Sequence, residues 1–161
     1  MQKNLKTSKY PSKNIKTETY KDGDTIVTKH YYDTKDAQVK EVIYLKNGIK
    51  QINHITLKGV EAKQEHFIEG KREGVETKYF IAKANGSIKS TKMYDDGKLH
   101  GENITYNEKQ RIIKHEVYAQ GKRVLKYLRE DGNVITSVEI IDKDSVVNLP
   151  KIEYEKLQSY I

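Results

Sequence analysis

The stretch YDDGKLHGENITY, residues 94–106, decides the fold. Its Asp-Asp-Gly-Lys has turn chemistry: an Asp that tolerates the left-handed region beside a Gly that adopts it freely. His100-Gly101 follows, and the chain then runs through polar and β-branched residues to a second tyrosine twelve residues after the first. One hairpin needs one such turn, but the sequence contains many. Glycines stand at 23, 48, 59, 70, 86, 97, 121 and 132, with polar breaks at DTKDA (33–37) and NEKQ (107–110). Consecutive breaks are mostly 11–13 residues apart, with one gap of 16 between Gly70 and Gly86.

Aromatic residues share this period. Tyr20, Tyr32, Tyr44, Phe67, Tyr79, Tyr94, Tyr106 and Tyr118 each precede a break, and most neighbours lie 12 residues apart, or 23 where one is skipped. Between breaks the chain alternates or is β-branched, as in DTIVTKHYY, QVKEVIY, SIKSTKMY and VITSVEII. Those are strand signals, whereas a helical reading would cross a glycine every few turns at real cost. The sequence therefore predicts an all-β chain: a single long twisted antiparallel β-meander of roughly ten strands, built from repeated β-hairpins whose Gly turns carry bulges.

Composition limits the core. Of 161 residues, 35% are apolar and 33% charged, yet net charge is only +7 and there are 12 tyrosines, which argues against disorder. Both faces of many strands are polar. In GVETKYF one face carries Val75, Thr77 and Tyr79 and the other Glu76, Lys78 and Phe80. A sandwich requires a clearly apolar face, so the pattern predicts one sheet with a thin aromatic and aliphatic row on one side. Three segments follow: a basic N-terminal arm (1–16) with five lysines and no acid, a hairpin-repeat domain (17–141), and a tail (142–161). The arm reads as a solvated tail or as cover for a sheet edge. PKIEYEKLQSYI reads as a short amphipathic helix in which Ile152, Leu157 and Ile161 follow Pro150.

The repeat resembles a known family. Tyr94-Asp95-Asp96-Gly97-Lys98-Leu99-His100-Gly101 matches the Y-x-x-G-K-x-x-G core of MORN-type repeats. Phe67 to Gly74 is similar, and Tyr118 to Arg123 matches the first half, with Leu125 where a second Gly belongs. The nearest form is the bacterial antitoxin-like variant. That resemblance implies a hairpin meander used as a binding surface; it does not imply an active site.

The residues themselves show little catalytic chemistry. There is no Cys, no HExxH, no GxSxG and no Walker sequence. His30 and His54, 24 residues apart, fall where they can share a row, but nothing marks a metal site. Asp95/Asp96 and Glu130/Asp131 precede Gly and read as turn formers. The expectation is a non-enzyme with no cofactor and no metal. The N-terminus lacks an apolar signal region and no run reaches 18 apolar residues, so a cytoplasmic protein is expected.

The function expected from sequence is a protein-binding module, an inhibitor of the immunity or antitoxin type that occludes a toxin or nuclease. The expected contacts are Tyr79, Tyr94, Tyr106, Tyr118, Lys98, Lys122 and Arg123. The alternative is a nucleic-acid or nucleoprotein binder acting on a defence nuclease, using Lys3, Lys6, Lys9, Lys13 and Lys16. Association of the arm with an anionic membrane ranks third.

Overall fold

The computed structural model describes residues 3–82, 86–131 and 134–161. Its strands are β1 (Lys3–Lys9), β2 (Ile15–Asp22), β3 (Thr25–Tyr31), β4 (Val39–Lys46), β5 (Ile49–Ile55), β6 (Glu61–Ile68), β7 (Lys71–Arg72), β8 (Gly74–Tyr79), β9 (Ile88–Asp95), β10 (Lys98–Tyr106), β11 (Ile112–Ala119), β12 (Lys122–Glu130) and β13 (Val134–Ile140). They form one antiparallel sheet in chain order, with the two-residue β7 pairing beside β6. A 3-10 turn (Val146–Asn148) and helix α1 (Lys151–Gln158) complete the chain. The meander predicted from the glycine period is therefore the observed fold, with thirteen strands among the described residues.

Two kinds of turn alternate. Asn47-Gly48, Glu69-Gly70, Asp96-Gly97 and Gln120-Gly121 are two-residue connections in which both residues have positive φ. That geometry matches the right-handed twist of the flanking strands. At the opposite strand ends the connections are longer, closed for example by Asn107 N–H to Arg111 O and Thr56 N–H to Val60 O. Gly132 lies outside the described residues. The GK turns are tight and carry no bulge of their own. The irregularity falls four residues later, at Gly74 (φ +71°) and Gly101 (φ +109°). A Cβ on Gly101 would sit 3.0 Å from Met93 Sδ and 3.2 Å from Met93 Cβ. The second glycine of the repeat thus lets the neighbouring strand's side chain cross the backbone.

The repeats are joined turn to turn. Gly97 N–H donates to Arg72 O at 2.9 Å, and Gly121 N–H donates to Leu99 O at 2.7 Å. Each donor is the turn glycine, and each acceptor stands two residues after the preceding turn glycine. A side-chain bond runs beside each: Asp96 N–H donates to Glu73 Oε2 at 3.0 Å, and Gln120 N–H to His100 Nδ1 at 3.2 Å. His100 is therefore an acceptor that locks one repeat to the next.

The N-terminal arm is not a solvated tail. Residues 3–9 pair with β2 as the sheet's first strand. The following turn is held by Tyr10 Oη–H to Tyr31 O at 2.7 Å and by Ser12 and Asn14 to Asp33.

The core is thin and lies on one face. Tyr20, Val27 and Val42 form one small cluster. Val117, Ala119, Val124, Leu125 and Tyr127 form the other, covered by Leu149 and Leu157 of the tail. The expected C-terminal helix is present, but its inward stripe differs from the sequence reading. Glu153 and Leu157 are buried, whereas Ile152 is 70% and Ile161 71% exposed. The i, i+4 line Glu153–Leu157, continuing from Leu149, meets the sheet. Leu125 occupies the position of the missing second glycine and is fully buried, because here the tail covers the sheet and apolar volume is needed.

Replacing Gly101 with Ala combines a strained φ with the Met93 contact. It is expected to destabilise by about 2–3 kcal/mol. Gly59→Ala, at positive φ but in open space, is expected to cost about 1 kcal/mol. Urea unfolding of both variants checks the difference.

Candidate functional site

Cross-strand pairing aligns side chains into rungs across the sheet. The face opposite the tail, called here the open face, carries several, of which two bear on the site. The polar rung runs Glu76–Lys92–Asn103–Glu116–Lys126–Glu139 through direct register partners. Glu65 adjoins it from β6, next to Ile52 and Ile43. The second rung runs Leu45–Lys50–Phe67–Arg72 by register and continues through Tyr94 to Leu99. Arg72 lies 5.2 Å from the Tyr94 ring centroid and donates to its hydroxyl at 3.2 Å. Leu99 and Tyr118 wall one cavity, and Tyr118 pairs with Arg123. From Lys50 to Arg123 aromatic and cationic side chains, with Leu99 among them, thus follow one another over six inter-strand steps, about 29 Å at the usual spacing.

The carboxylates lie beneath cations. Glu65, Glu76 and Glu116 are 5%, 4% and 2% exposed. Glu65 accepts from His54 at 2.9 Å through Oε2, and its Oε1 is ion-paired with Lys63 (2.7 Å) and Arg72 (3.0 Å). Glu76 lies near Lys63 (3.4 Å), Arg72 (3.7 Å) and Lys78 (3.9 Å). Glu116 is bound by Arg123 (2.8 Å), Lys114 (3.1 Å) and the Tyr118 hydroxyl (3.1 Å). Burial pushes the Glu65 and Glu116 carboxyls up, but their hydrogen-bonded cations outweigh it and hold both below the ordinary value. Each buried acid fixes two or more longer cationic side chains that remain half-exposed. The open face therefore presents ordered positive charge with aromatic rings between.

The expected contact residues do not form one row. Tyr94, Tyr118 and Arg123 share the open face. Lys98 and Lys122 pair with Asp95 and Ala119 on the tail side. Tyr79 and Tyr106 stand at the far ends of β8 and β10, and alternation puts them with Thr77 and Ile104 on that side too. The twelve-residue aromatic period skips from one strand end to the other, so successive tyrosines fall on different rows. The reading from sequence missed Arg72, Lys92, Asn103, Lys114 and Glu116, whose roles arise only from register. Of the arm lysines, Lys6 and Lys9 lie on edge strand β1, where both are exposed, and Lys13 is in the turn. Lys16 sits 5.8 Å over the Tyr10 ring. The Lys3 side chain lies outside the described ones. These lysines occupy the far edge, away from the aromatic–cation rung.

His30 and His54 do share a row, with Glu41 between them. Among the described residues no group of His, Asp and Glu is arranged to hold a metal. No helix among them is long and apolar enough to cross a membrane.

On the tail side a buried polar cluster fixes α1. Arg129 donates to His115 Nδ1 at 2.9 Å, so His115 Nε2 carries hydrogen and donates to Glu102 at 3.0 Å. Lys156 donates to Glu102 at 2.5 Å and lies 4.9 Å over the Tyr127 ring. The His115 hydrogen bond, against burial and with help from Lys156, lowers the Glu102 carboxyl to about 2. Burial, then the nearby Glu102, raises Glu153 to about 6, and its buried Oε2 has no hydrogen-bond partner among the described residues.

No protein-family model and no curated protein matches the sequence. Among solved structures, a mutant S. aureus TarM in complex with fondaparinux, α-GlcNAc-glycerol and UDP is similar over 63% of this chain and 21% of that one, at 14% identity and a TM-score of 0.43. A second TarM structure is similar over 76% of this chain and 20% of that one, at 14% identity and a TM-score of 0.41. The pneumococcal O-GlcNAc transferase GtfA, with UDP and GlcNAc, is similar over 85% and 21%, at 13% identity and a TM-score of 0.27. The chain thus spans about a fifth of the length of these structures. Likeness at this level carries no argument about activity or ligand.

The two tail-side carboxyls act on stability in opposite senses. Glu102 contributes stability that is complete above its ordinary value of 4.5 and is lost as pH falls towards about 2. Glu153, raised from 4.5 to about 6, favours folding while protonated, so its contribution is lost as pH rises through that window. Glu153→Gln is expected to abolish the second slope and to stabilise the protein near neutral pH by about 1–2 kcal/mol. Urea midpoints at several pH values on either side of the window check both the sign and the size.

Proposed function

We propose that the protein is a non-catalytic binding module that engages and occludes an acidic protein partner through the open face of its sheet. The carrying observation is the rung Lys50–Phe67–Arg72–Tyr94–Leu99–Tyr118–Arg123, beside carboxylates already neutralised by their own cations. Tyr and Arg are the residue types that anchor interfaces. Here they are pre-ordered by buried acids, which lowers the entropy cost of binding. A surface about 29 Å long is on the scale of a standard interface. Together with the MORN-type resemblance of residues 67–74 and 94–101, this supports an inhibitor of the immunity or antitoxin type.

The test is affinity capture from the source cells, with and without nuclease treatment. Wild type is expected to retain a protein partner in both cases. Tyr94→Ala with Tyr118→Ala is expected to lose it at unchanged fold, whereas Tyr79→Ala with Tyr106→Ala keeps it. Capture abolished by nuclease, or equal capture by the Tyr94/Tyr118 variant, would overturn the proposal.

A further inference from the structure

A half-closed cavity of about 120 Å³ opens on the open face across the polar rung, from Leu99 and Tyr118 on one side to Ser90, Thr105 and Lys114 on the other. The walls that matter are Lys92, Leu99, Asn103, Lys114, Glu116 and Tyr118. A water's share of liquid volume is about 30 Å³, so this space holds one small side chain and is too small for a stacked base.

Its chemistry is unbalanced in a specific way. Glu116 is the only carboxylate among these walls, and it is already bound by Lys114, Arg123 and the Tyr118 hydroxyl. Lys92 precedes Asn103 on the polar rung and makes no ion pair among the described residues. Lys126 follows Glu116 on the same rung. Lys92, Lys114, Arg123 and Lys126 therefore stand about Glu116, with Glu76 and Glu139 across from Lys92 and Lys126 at the two ends of the rung. Asn103 stands between Lys92 and Glu116, and its buried Oδ1 has no hydrogen-bond partner among the described residues. A buried acceptor without a donor is costly until a ligand supplies one. The best occupant thus brings an anionic group for the lysines and a donor for Asn103.

We propose that this cavity receives the carboxylate side chain of an Asp or Glu on the partner, with a partner backbone N–H donated to Asn103 Oδ1. Leu99 and the Tyr118 ring pack against the methylenes of that side chain. An acidic peptide carries both features in one residue, since every non-proline residue has an N–H. A DNA backbone offers the anion without a donor. The inference rests on the reading of the open face as a protein-binding surface, and it names the chemistry at the surface's central subsite.

The probe is a labelled oligo-glutamate peptide of about ten residues, followed by fluorescence anisotropy at about 50 mM salt. A thymidine strand of similar length serves as the competing polyanion. Wild type is expected to bind the peptide more tightly than the DNA. Lys92→Gln with Lys114→Gln is expected to weaken peptide binding about tenfold or more, a change of about 1.4 kcal/mol. Asn103→Ala is expected to weaken it less, and Lys98→Gln with Lys122→Gln, on the other face, to leave it unchanged. Thermal melting confirms that each variant is folded, and the single Lys92→Gln variant serves if the double one is not. No peptide binding by wild type, tighter binding of DNA, or an unchanged Lys92/Lys114 variant would overturn the subsite. The Tyr94/Tyr118 capture experiment reads the surface independently: loss of capture there with no effect of Lys92 and Lys114 rejects this subsite alone.

Discussion

The second half of the sheet depends on the hydrogen bonds from two turn glycines, Gly97 and Gly121, to the repeat before each. Gly97 N–H to Arg72 O and Gly121 N–H to Leu99 O set how far one hairpin is displaced from the last. Both donors belong to turns with two successive residues at positive φ, which fixes where the amide points. The side-chain bonds from Glu73 and His100 repeat the same step one residue away. A sheet this poor in apolar contacts needs such joints, because hydrophobic burial alone does not hold its register.

From that register comes the division of labour between the faces. Side chains alternate, so a fixed register stacks Glu76, Lys92, Asn103, Glu116 and Lys126 into one rung and places Val117, Leu125 and Tyr127 behind them. The tail spends its few apolar residues on the second set. The open face instead buries carboxylates under arginine and lysine stems, whose methylenes shield the acids while their charged heads stay wet. The same arrangement that satisfies the acids also orders the cations that would meet a partner.

Much of the fold was legible in the chain. The glycine period, the aromatic period and the β-branched runs identify an antiparallel meander, because turn chemistry and alternation are local properties. The extra strands escaped notice for identifiable reasons. Residues 3–9 lack the apolar alternation of a strand and pair because β2 offers an open edge. Glu73 alone separates β7 from β8, just ahead of the positive-φ Gly74. The helix was visible from Pro150 and its spacing, but its buried side was not. Glu153 faces inward because Leu149 and Leu157, at matching intervals, meet Val117 and Leu125.

The sequence by itself determined the architecture, the basic excess and the recurrence of aromatic residues before turns, since each depends on neighbours within a few residues. Only the tertiary structure decided which of those residues act together. Tyr94 and Tyr118 share a rung with Arg72 and Arg123, while Tyr79 and Tyr106 fall on other rows, because face and register depend on bulges and turn-to-turn bonds between strands. For the same reason Lys92, Asn103, Lys114 and Glu116, spread over four strands, become one cavity. The physical cause is that cross-strand proximity is set by hydrogen-bond register, a quantity that no single segment of the chain contains.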